Sequence, residues 1–381
     1  MQQTTADKPR LTYAIQHFDK TGEMRAPYLI CKAFVELGWA VDIQTMGTAA
    51  NAGVELAWGQ VPLRKIAGLN KKATLLKLAA SLLHKRRQHV VLSFVWDWHC
   101  YGLLLAKWLF GSPYALALDT YVHRSGATWR TRLWEAVRYG PLLRNADLIL
   151  AECPDAFAAA KRYTRRPEVR QVPFCLWQRD LEAIEARWQT EGFAPQREPV
   201  ILYAGRLVER KRVHDLIAAF SRLAAQFPKW TLEIRGLPDS PEYGQLIAEL
   251  VSSSGLDEQV RFLPGLSREA LYRRYREVSI FALTSEGEGM PTTITEAMFF
   301  GGAIVAGISG ALAYQLEDGR CGCLHEPGDL EMLTHHLQTL MASQQVREGY
   351  MMRARARMLS LLVWERYFPE LEARFRRLVV D

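Results

Sequence analysis

The sequence lacks a long hydrophobic run. Its longest apolar stretch, residues 98–118, is divided by Lys107 and by the Gly-Ser-Pro sequence at 111–113. The interruption predicts a helix followed by a strand, whereas a membrane-spanning helix needs about 20 consecutive apolar residues. Residues 1–10 are polar, unlike a secretion signal. We therefore expect a cytoplasmic protein.

Signatures of disulfides and metal sites are also missing. The six cysteines are scattered, and the close pair Cys321 and Cys323 has no second pair of ligands to complete a zinc site. We interpret all six as reduced and mostly buried. No loop carries an Asp-x-Asp cluster, so we expect neither a metal nor another cofactor.

Acidic residues are absent from a long part of the first half, between Glu55 and Asp97. Residues 1–190 carry 26 lysines and arginines against 16 acidic residues, a net charge of +10. Because the whole chain carries +7, residues 191–381 carry −3. A basic first half suits an anionic membrane, an acidic acceptor or nucleic acid. We find no aromatic-plus-basic RNA motif and expect no nucleic acid partner.

Two segments of this basic half are candidates for contact with an anionic membrane surface. Residues 64–87 contain an apolar stripe at helical spacing, formed by Leu75, Leu76, Ala79, Leu82 and Leu83. A basic amphipathic helix can lie on a bilayer, although the stripe could equally face the protein core. Residues 128–139 set tryptophans beside arginines, which is typical of the lipid–water interface. On this hypothesis the protein is peripheral on the inner face of the cell membrane.

The middle of the second half predicts one turn of a parallel βαβ unit. Apolar residues 280–283 predict a buried strand, the loop 285–291 contains two glycines, and residues 303–306 predict the next strand. We expect Thr292 or Thr293 to cap the helix between them. Such a unit places loop amides and a helix N-terminus at the carboxyl edge of a sheet, where anionic ligands bind.

Two carboxylates, Glu288 in the loop and Glu296 in the helix, are separated by seven residues. One interpretation is structural: Thr293 and Glu296 have the spacing of a capping box, and Glu288 would be solvated. The other is functional. An ionised carboxylate only accepts hydrogen bonds, so a pair of them suits the hydroxyls of a sugar.

A second basic loop follows another predicted strand, residues 200–204. This loop, residues 205–211, contains Arg206 and Lys211 and leads into an amphipathic helix. The planar fork of an arginine and the point charge of a lysine together suit a diphosphate. Alternatively, one of the two merely solvates its loop.

These two loop regions resemble those of the retaining GT-B glycosyltransferases of family 4. Glu288 and Glu296 match the family's E-x7-E motif. The resemblance implies that Glu288 contacts the donor sugar and Glu296 the nucleotide ribose. It also implies that Arg206 and Lys211 hold the pyrophosphate of a nucleotide sugar. Further implied donor contacts are Gly289, Met290, Pro291 and Thr292.

The first half resembles the family in outline. The resemblance implies that the loop containing Gly22 faces phosphate, although an ordinary tight turn explains this single glycine equally well. Asp119 ends a predicted strand where the family has a His-Asp pair, and Leu118 stands in place of the histidine. We expect Asp119 to contact a sugar hydroxyl or the acceptor, with His123 as the alternative.

We therefore expect an α/β chain of GT-B architecture, two Rossmann-like domains with parallel sheets facing across a cleft. The predicted divisions are an acceptor domain at 1–180, a linker at 181–198 and a nucleotide-sugar domain at 199–361. A closing helix at 362–381 should pack back on the first domain.

The expected function is metal-independent, retaining transfer from a nucleotide-diphosphate sugar to a glycan or lipid-linked acceptor. Its setting would be bacterial-type cell-surface polysaccharide or glycolipid synthesis. Two alternatives are a nucleotide-sugar epimerase on the same fold and a basic membrane-surface protein without catalysis.

Overall fold

The computed structural model divides the chain into two compact α/β units. The first unit comprises Met1–Phe174 and Glu365–Asp381, and the second comprises Cys175–Trp364. The structure describes residues 8–15, 25–46, 54–56, 59–61, 63–66, 71–82, 89–94, 98–118, 128–164 and 168–380. The predicted class, an α/β fold with two domains built on parallel sheets, is confirmed.

The first unit is built on a parallel seven-stranded sheet of order β5-β2-β1-β6-β7-β8-β9, beside a short antiparallel pair, β3-β4. Its strands are β1 (Arg10–Ile15), β2 (Ala40–Thr45), β3 (Val54–Leu56), β4 (Gly59–Val61), β5 (Leu63–Lys65), β6 (His89–Phe94), β7 (Tyr114–Leu118), β8 (Leu148–Ala151) and β9 (Glu168–Gln171). Its helices are α1 (Arg25–Glu36), α2 (Lys71–Ser81), α3 (Cys100–Phe110), α4 (Trp129–Asn145) and α5 (Pro154–Tyr163). The order reverses between β1 and β6, which is a topological switch point.

The second unit is built on a parallel six-stranded sheet of order β12-β11-β10-β13-β14-β15. Its strands are β10 (Glu198–Ala204), β11 (Thr231–Arg235), β12 (Val260–Leu263), β13 (Val278–Leu283), β14 (Ala303–Gly307) and β15 (Cys323–His325). Its helices are α6 (Gln178–Thr190), α7 (Val213–Ser221), α8 (Pro241–Ser253), α9 (Arg268–Glu277), α10 (Thr292–Phe300), α11 (Leu312–Gln315), α12 (Leu330–Ala342) and α13 (Gln344–Leu361). Here the order reverses between β10 and β13, so ligands are expected at their carboxyl ends.

One segment departs from the sequence interpretation of the domain limits. Helix α6 occupies most of residues 181–198, which the composition assigns to a linker, because Leu181 and Trp188 are buried on its inner side. The Trp188 ring lies 5.3 Å from the ring of Phe300, so this helix belongs to the second unit. Polar composition alone did not reveal this apolar side.

The last helix, α14 (Trp364–Val380), packs on the first unit over most of its length. Phe368 and Phe375 each place their rings 5.1 Å from the ring of Phe34 on α1. The indole of Trp39 donates a hydrogen bond of 3.2 Å to Glu372. Aromatic contacts of this kind are worth about 0.5–1.5 kcal/mol each beyond area burial.

The apolar stripe predicted for α2 is partly buried in the protein core. Leu78, Ala79 and Leu82 are buried, and a Cβ added at Gly102 of α3 would lie 3.0 Å from the Leu78 side chain. The buried part of the stripe supports its structural interpretation, whereas Leu76 is 60% exposed, Leu83 lies outside the described residues, and contact with a bilayer stays a prediction. Among the described residues, no helix is long and apolar enough to cross a membrane.

A buried histidine immediately precedes α3 in the first unit. The side chain of His99 is fully buried, with Nε2 2.9 Å from the Ser93 hydroxyl, and Ser93 donates to the Ala14 carbonyl at 2.8 Å. Burial lowers the pKa of His99 from 6.5 to about 4, partly opposed by a hydrogen bond with the Ala14 backbone. The folded state therefore holds a neutral ring that the unfolded state protonates in mild acid.

We expect this histidine to make the first unit acid-sensitive. Because its folded pKa lies below the unfolded value, its contribution to stability is present above pH 6.5 and is lost as pH falls toward about 4. The full loss is roughly 3 kcal/mol. Thermal unfolding of the wild type and of His99→Gln across this range checks it. The variant should show a shallower fall in melting temperature, and parallel pH profiles would contradict the assignment.

Candidate functional site

The switch point of the second unit brings two loops together. Strands β10 and β13 are parallel neighbours, with Leu202 opposite Phe281. The β10–α7 loop (residues 205–212) and the β13–α10 loop (residues 284–291) therefore leave the same edge of the sheet. The Glu286 amide donates to the Arg210 carbonyl at 3.0 Å, so the loops are joined by backbone as well as by side chains.

A buried threonine fixes the position of the first loop. The Thr284 side chain is fully buried, and its hydroxyl donates to the carbonyl oxygens of Lys211 and Arg212 at 3.0 and 2.9 Å. Arg210 adds a hydrogen bond from its guanidinium to the Gly287 carbonyl. These contacts hold the backbone around Lys211 against the second loop.

Lys211 and Glu288 form an ion pair between the two loops. Their side chains are only 14% and 10% exposed, so the pair is largely shielded from water. Burial lowers the pKa of Lys211, and Glu288 opposes that change while Arg210 and Arg206 reinforce it. A buried pair of this kind is costly to break from one side, because the remaining charge has no solvent to replace its partner.

Arg206 lies in the same loop but is oriented toward solvent. Its side chain is more than half exposed, and a guanidinium nitrogen is 3.6 Å from an Asp239 carboxylate oxygen. The Tyr203 hydroxyl donates to the Arg206 carbonyl at 2.8 Å and so fixes the backbone at this position. The positive charge of Arg206 contributes to the lowering of the Lys211 pKa, so the two cations are close enough to repel each other.

Helix α10 begins at Thr292, and the residue before it, Pro291, is its N-cap without a side-chain hydrogen bond. The expected cap by Thr292 or Thr293, and with it the capping box, is therefore wrong. The first amides of an α-helix have no partner within the helix. Without a capping side chain, this N-terminus retains its capacity to bind an anion at the carboxyl edge of the sheet.

Glu296 lies in the interior of the second unit. It is 0% exposed within α10, and the Tyr272 hydroxyl donates to its Oε1 at 3.1 Å. Tyr272 in turn stacks on Phe300, with ring centroids 4.4 Å apart. The Tyr272 hydroxyl thus fixes one oxygen of this carboxylate, and the predicted contacts of the two glutamates with a sugar nucleotide stay a prediction.

A glycine from the neighbouring strand supports the β13–α10 loop. Gly310 follows β14 with a φ of +55°, and an added Cβ would overlap the Glu288 carbonyl and lie 2.7 Å from that of Gly289. The Ala311 amide donates to the Gly289 carbonyl at 3.0 Å. The loop that carries Glu288 is therefore held by backbone contact that only glycine permits.

We expect Gly310→Ala to lower the free energy of unfolding by about 2 kcal/mol, since a side chain at positive φ adds strain to the overlap. Gly287→Ala is the matched control in the same loop, because a Cβ there meets nothing within 4 Å and its φ lies outside the left-handed region. Denaturant unfolding of both variants checks this prediction. Equal stability of the two would contradict it.

Three sequence candidates lie outside the described residues: Gly22, Asp119 and His123. Their expected contacts with phosphate, with a sugar hydroxyl or with the acceptor stay predictions. In the described part of the chain, no group of three His, Cys, Asp or Glu side chains has the arrangement of a metal site.

Sequence reasoning missed the residues that hold the others in place: Thr284, Arg210, Tyr272 and Gly310. Thr284 follows a strand predicted from its apolar run, so its position at the sheet edge was a usable signal. The sequence contains no comparable signal for Tyr272 or Gly310, because their partners come from other elements.

An apolar cavity of about 330 Å³ adjoins the first loop. It lies among the ends of β10, β11 and β12 and one side of α8, and Leu207, Leu237, Ile247, Phe262 and Pro264 are among its lining residues. The Leu207 amide donates to the Leu237 carbonyl at 3.0 Å, which joins the walls of the cavity. A planar ring with apolar faces suits such a space.

The chain is similar to known glycosyltransferases. Residues 185–357 match the family model described as glycosyl transferases group 1. A D-inositol 3-phosphate glycosyltransferase of Mycobacterium ulcerans is 29% identical over 196 residues, covering 50% of this chain and 41% of that relative. The matches thus span less than half the length of the first curated relatives.

Solved structures are similar over nearly the whole chain. Sucrose-phosphate synthase from Thermosynechococcus elongatus has a TM-score of 0.77 at 20% identity, covering 97% of this chain and 99% of that one. Anabaena Alr3699/HepE in complex with UDP-glucose has a TM-score of 0.74 at 16% identity, covering 96% and 100%. At these identities the likeness shows the fold, which is GT-B.

Proposed function

We propose that this chain, whose residues 185–357 match the glycosyl transferases group 1 model, is a glycosyltransferase that moves a sugar from a nucleoside diphosphate to a glycan or lipid-linked acceptor. The anomeric configuration is retained, and the product belongs to bacterial-type cell-surface polysaccharide or glycolipid synthesis. The observation that carries this proposal is the shielded Lys211–Glu288 pair at the switch point of the second unit.

In this proposal the ion pair keeps both groups in position until the donor arrives. The diphosphate, which carries more charge than one carboxylate, draws Lys211 away from Glu288. Glu288 then accepts hydrogen bonds from hydroxyls of the donor sugar. Binding of the donor thus replaces the Lys211–Glu288 ion pair by two interactions, one between Lys211 and the diphosphate and one between Glu288 and the sugar hydroxyls.

Stabilisation of the departing nucleoside diphosphate is the main chemical task, since negative charge grows on it as the glycosidic bond breaks. Lys211 and Arg206 supply positive charge, and Gly289, Met290, Pro291 and Thr292 form the backbone between loop and helix start. Amides and a helix N-terminus fixed in advance stabilise such charge without reorganisation. We propose that these groups act without a metal.

The nucleobase and the ribose are assigned to two further features of the second unit. The apolar cavity beside Leu207 is proposed to take the nucleobase, because it adjoins the loop that carries Arg206. Glu296 is proposed to accept hydrogen bonds from the ribose. Because Anabaena Alr3699/HepE is described in complex with UDP-glucose, a UDP-sugar is the donor to be tested first.

The acceptor is proposed to bind the first unit, with Asp119 near the reacting sugar. The basic composition of residues 1–190 favours an acidic or lipid-linked acceptor over a neutral one. A cytoplasmic enzyme that is peripheral on the inner face of the cell membrane would meet such an acceptor.

The proposal is tested by thermal shift with UDP, GDP and their common sugar conjugates, followed by an assay for release of the nucleoside diphosphate. A ligand at one hundred times its dissociation constant stabilises a protein by about 2.7 kcal/mol. We expect one nucleotide and one of its sugars to stabilise the wild type and Lys229→Ala, whose lysine is exposed in the same unit.

Lys211→Ala should lose that stabilisation. Failure of every nucleotide to bind the wild type would overturn the proposal. Conversion of the donor into an isomeric nucleotide sugar, without release of a sugar, would instead identify an epimerase.

A further inference from the structure

Helix α4 exposes large apolar side chains along one row of its N-terminal half. Trp129, Leu133 and Val137 follow one another at four-residue spacing and are 70%, 58% and 69% exposed. In a helix on the surface of a globular protein this row would be polar. A contiguous apolar row of this kind marks a contact surface.

A second row beside the first combines arginines with another tryptophan. Arg130, Trp134 and Arg138 have the same spacing, and Trp134 is 56% exposed. The Arg138 guanidinium lies 4.8 Å from the centre of the Trp134 ring, and that of Arg130 lies 5.5 Å from Trp129. We call these six side chains, the members of both rows, the basic aromatic face.

The charge of α4 is almost entirely of one sign. The helix contains four arginines and a single acidic residue, Glu135, which is buried. Its exposed half therefore offers positive charge and aromatic surface with no carboxylate among them. Anionic phosphates complement such a surface.

The position of the basic aromatic face in the fold is also informative. Helix α4 follows β7 of a parallel sheet, so its N-terminus lies at the carboxyl edge of that sheet. Its C-terminal half is anchored in the core by Leu142 and Leu143. The exposed half thus lies at the edge where sheets of this kind bind their ligands.

We propose that the basic aromatic face docks on the surface of an anionic lipid bilayer. Trp129, Leu133 and Val137 enter the interface, where tryptophan is favoured, and the arginines bind lipid phosphates. The inference rests on the proposed function, because docking there would present a lipid-linked acceptor to the sheet edge of the first unit. It deepens that function by naming the side chains of α4 that would make the membrane contact.

Vesicle flotation of the full chain tests the docking surface. Vesicles of phosphatidylcholine with phosphatidylglycerol should bring the wild type to the floated fraction, and vesicles of phosphatidylcholine alone should bring far less. Trp129→Ser with Leu133→Ser should weaken binding at least tenfold, because roughly two buried side chains are lost from the interface. Arg130→Gln with Arg138→Gln should weaken it about thirtyfold at low salt, since each arginine near the surface is worth about 1 kcal/mol.

Trp108 provides the matched control. It is 65% exposed at the other end of the α3–α4 pair, where its indole donates to Asn145 at 3.2 Å. Trp108→Ser should float as the wild type does. Equal loss in this variant, unchanged binding in the Trp129 and Leu133 variant, or absence of the wild type from the floated fraction would overturn the proposal. Dissociation of a dimer by the same double variant, without lipid binding, would overturn it in favour of a second copy.

Nucleotide binding separates this result from that of the proposed function. The double variants should bind the donor nucleotide in solution as the wild type does, because the basic aromatic face belongs to the first unit and the candidate donor site to the second. Flotation without nucleotide binding would keep the docking surface and reject the transferase. Nucleotide binding without flotation would reject the docking surface and keep the transferase.

Discussion

Lys211→Ala should lower kcat/KM for sugar transfer by about a thousandfold. Removal of one preorganised donor to a developing negative charge typically costs 10²–10³-fold. Here the loss of Lys211 also leaves Glu288 as an uncompensated carboxylate that is only 10% exposed. Steady-state kinetics with saturating acceptor, once the donor is known, measure the effect.

Two companion variants show whether the Lys211 result comes from the proposed chemistry. Arg206→Ala should cost less, roughly tenfold, because this side chain is already half in solvent and paired with Asp239. Adding Glu288→Gln to Lys211→Ala should restore stability but not the rate. If the double variant recovers most of the rate, the lysine serves only to neutralise Glu288, and its proposed role at the diphosphate is wrong.

Glu296→Gln should weaken binding of the nucleotide by roughly 10- to 100-fold. A hydrogen bond to a charged group contributes about 1.5–3 kcal/mol, and the amide keeps the size of the side chain while losing the charge. Isothermal titration calorimetry with the nucleoside diphosphate measures the change directly. Because Glu296 is 0% exposed, the same variant must also be checked by thermal unfolding.

Tyr272→Phe is the matched control for Glu296. It removes the hydroxyl that donates to Oε1 at 3.1 Å and leaves the ring stacked on Phe300. We expect a loss of about 1 kcal/mol of stability and only a small loss of affinity. If Glu296→Gln unfolds more easily but binds nucleotide as the wild type does, then Glu296 is a core residue and has no contact with the ribose.

The residue types of the candidate donor site were predictable from local sequence. An apolar run followed by a glycine-containing loop and a helix predicts a strand, a ligand-binding loop and a helix N-terminus, because these are properties of consecutive residues. The loops that carry Lys211 and Glu288 were recognised in this way. That the two side chains form one ion pair across 77 positions was not predicted, since the pairing depends on β10 and β13 being neighbours.

Local rules were wrong where a distant contact changed the outcome. Thr293 and Glu296 have the spacing of a capping box, but the N-cap is Pro291, two residues earlier, and the Tyr272 hydroxyl of α9 donates to the carboxylate. The composition around Trp188 predicted a linker, and packing against Phe300 made it a helix of the second unit.

The sequence by itself determined the chemistry available to this protein: a first half with net charge +10, an acid pair of fixed spacing, and two loops at strand ends. The tertiary structure decided how that chemistry is used. Both α2 and α4 have apolar rows and basic residues, yet Leu78 of α2 is buried against α3 while Trp129 of α4 is exposed. Helical periodicity defines the faces of a helix, but burial of a face depends on which distant element packs against it.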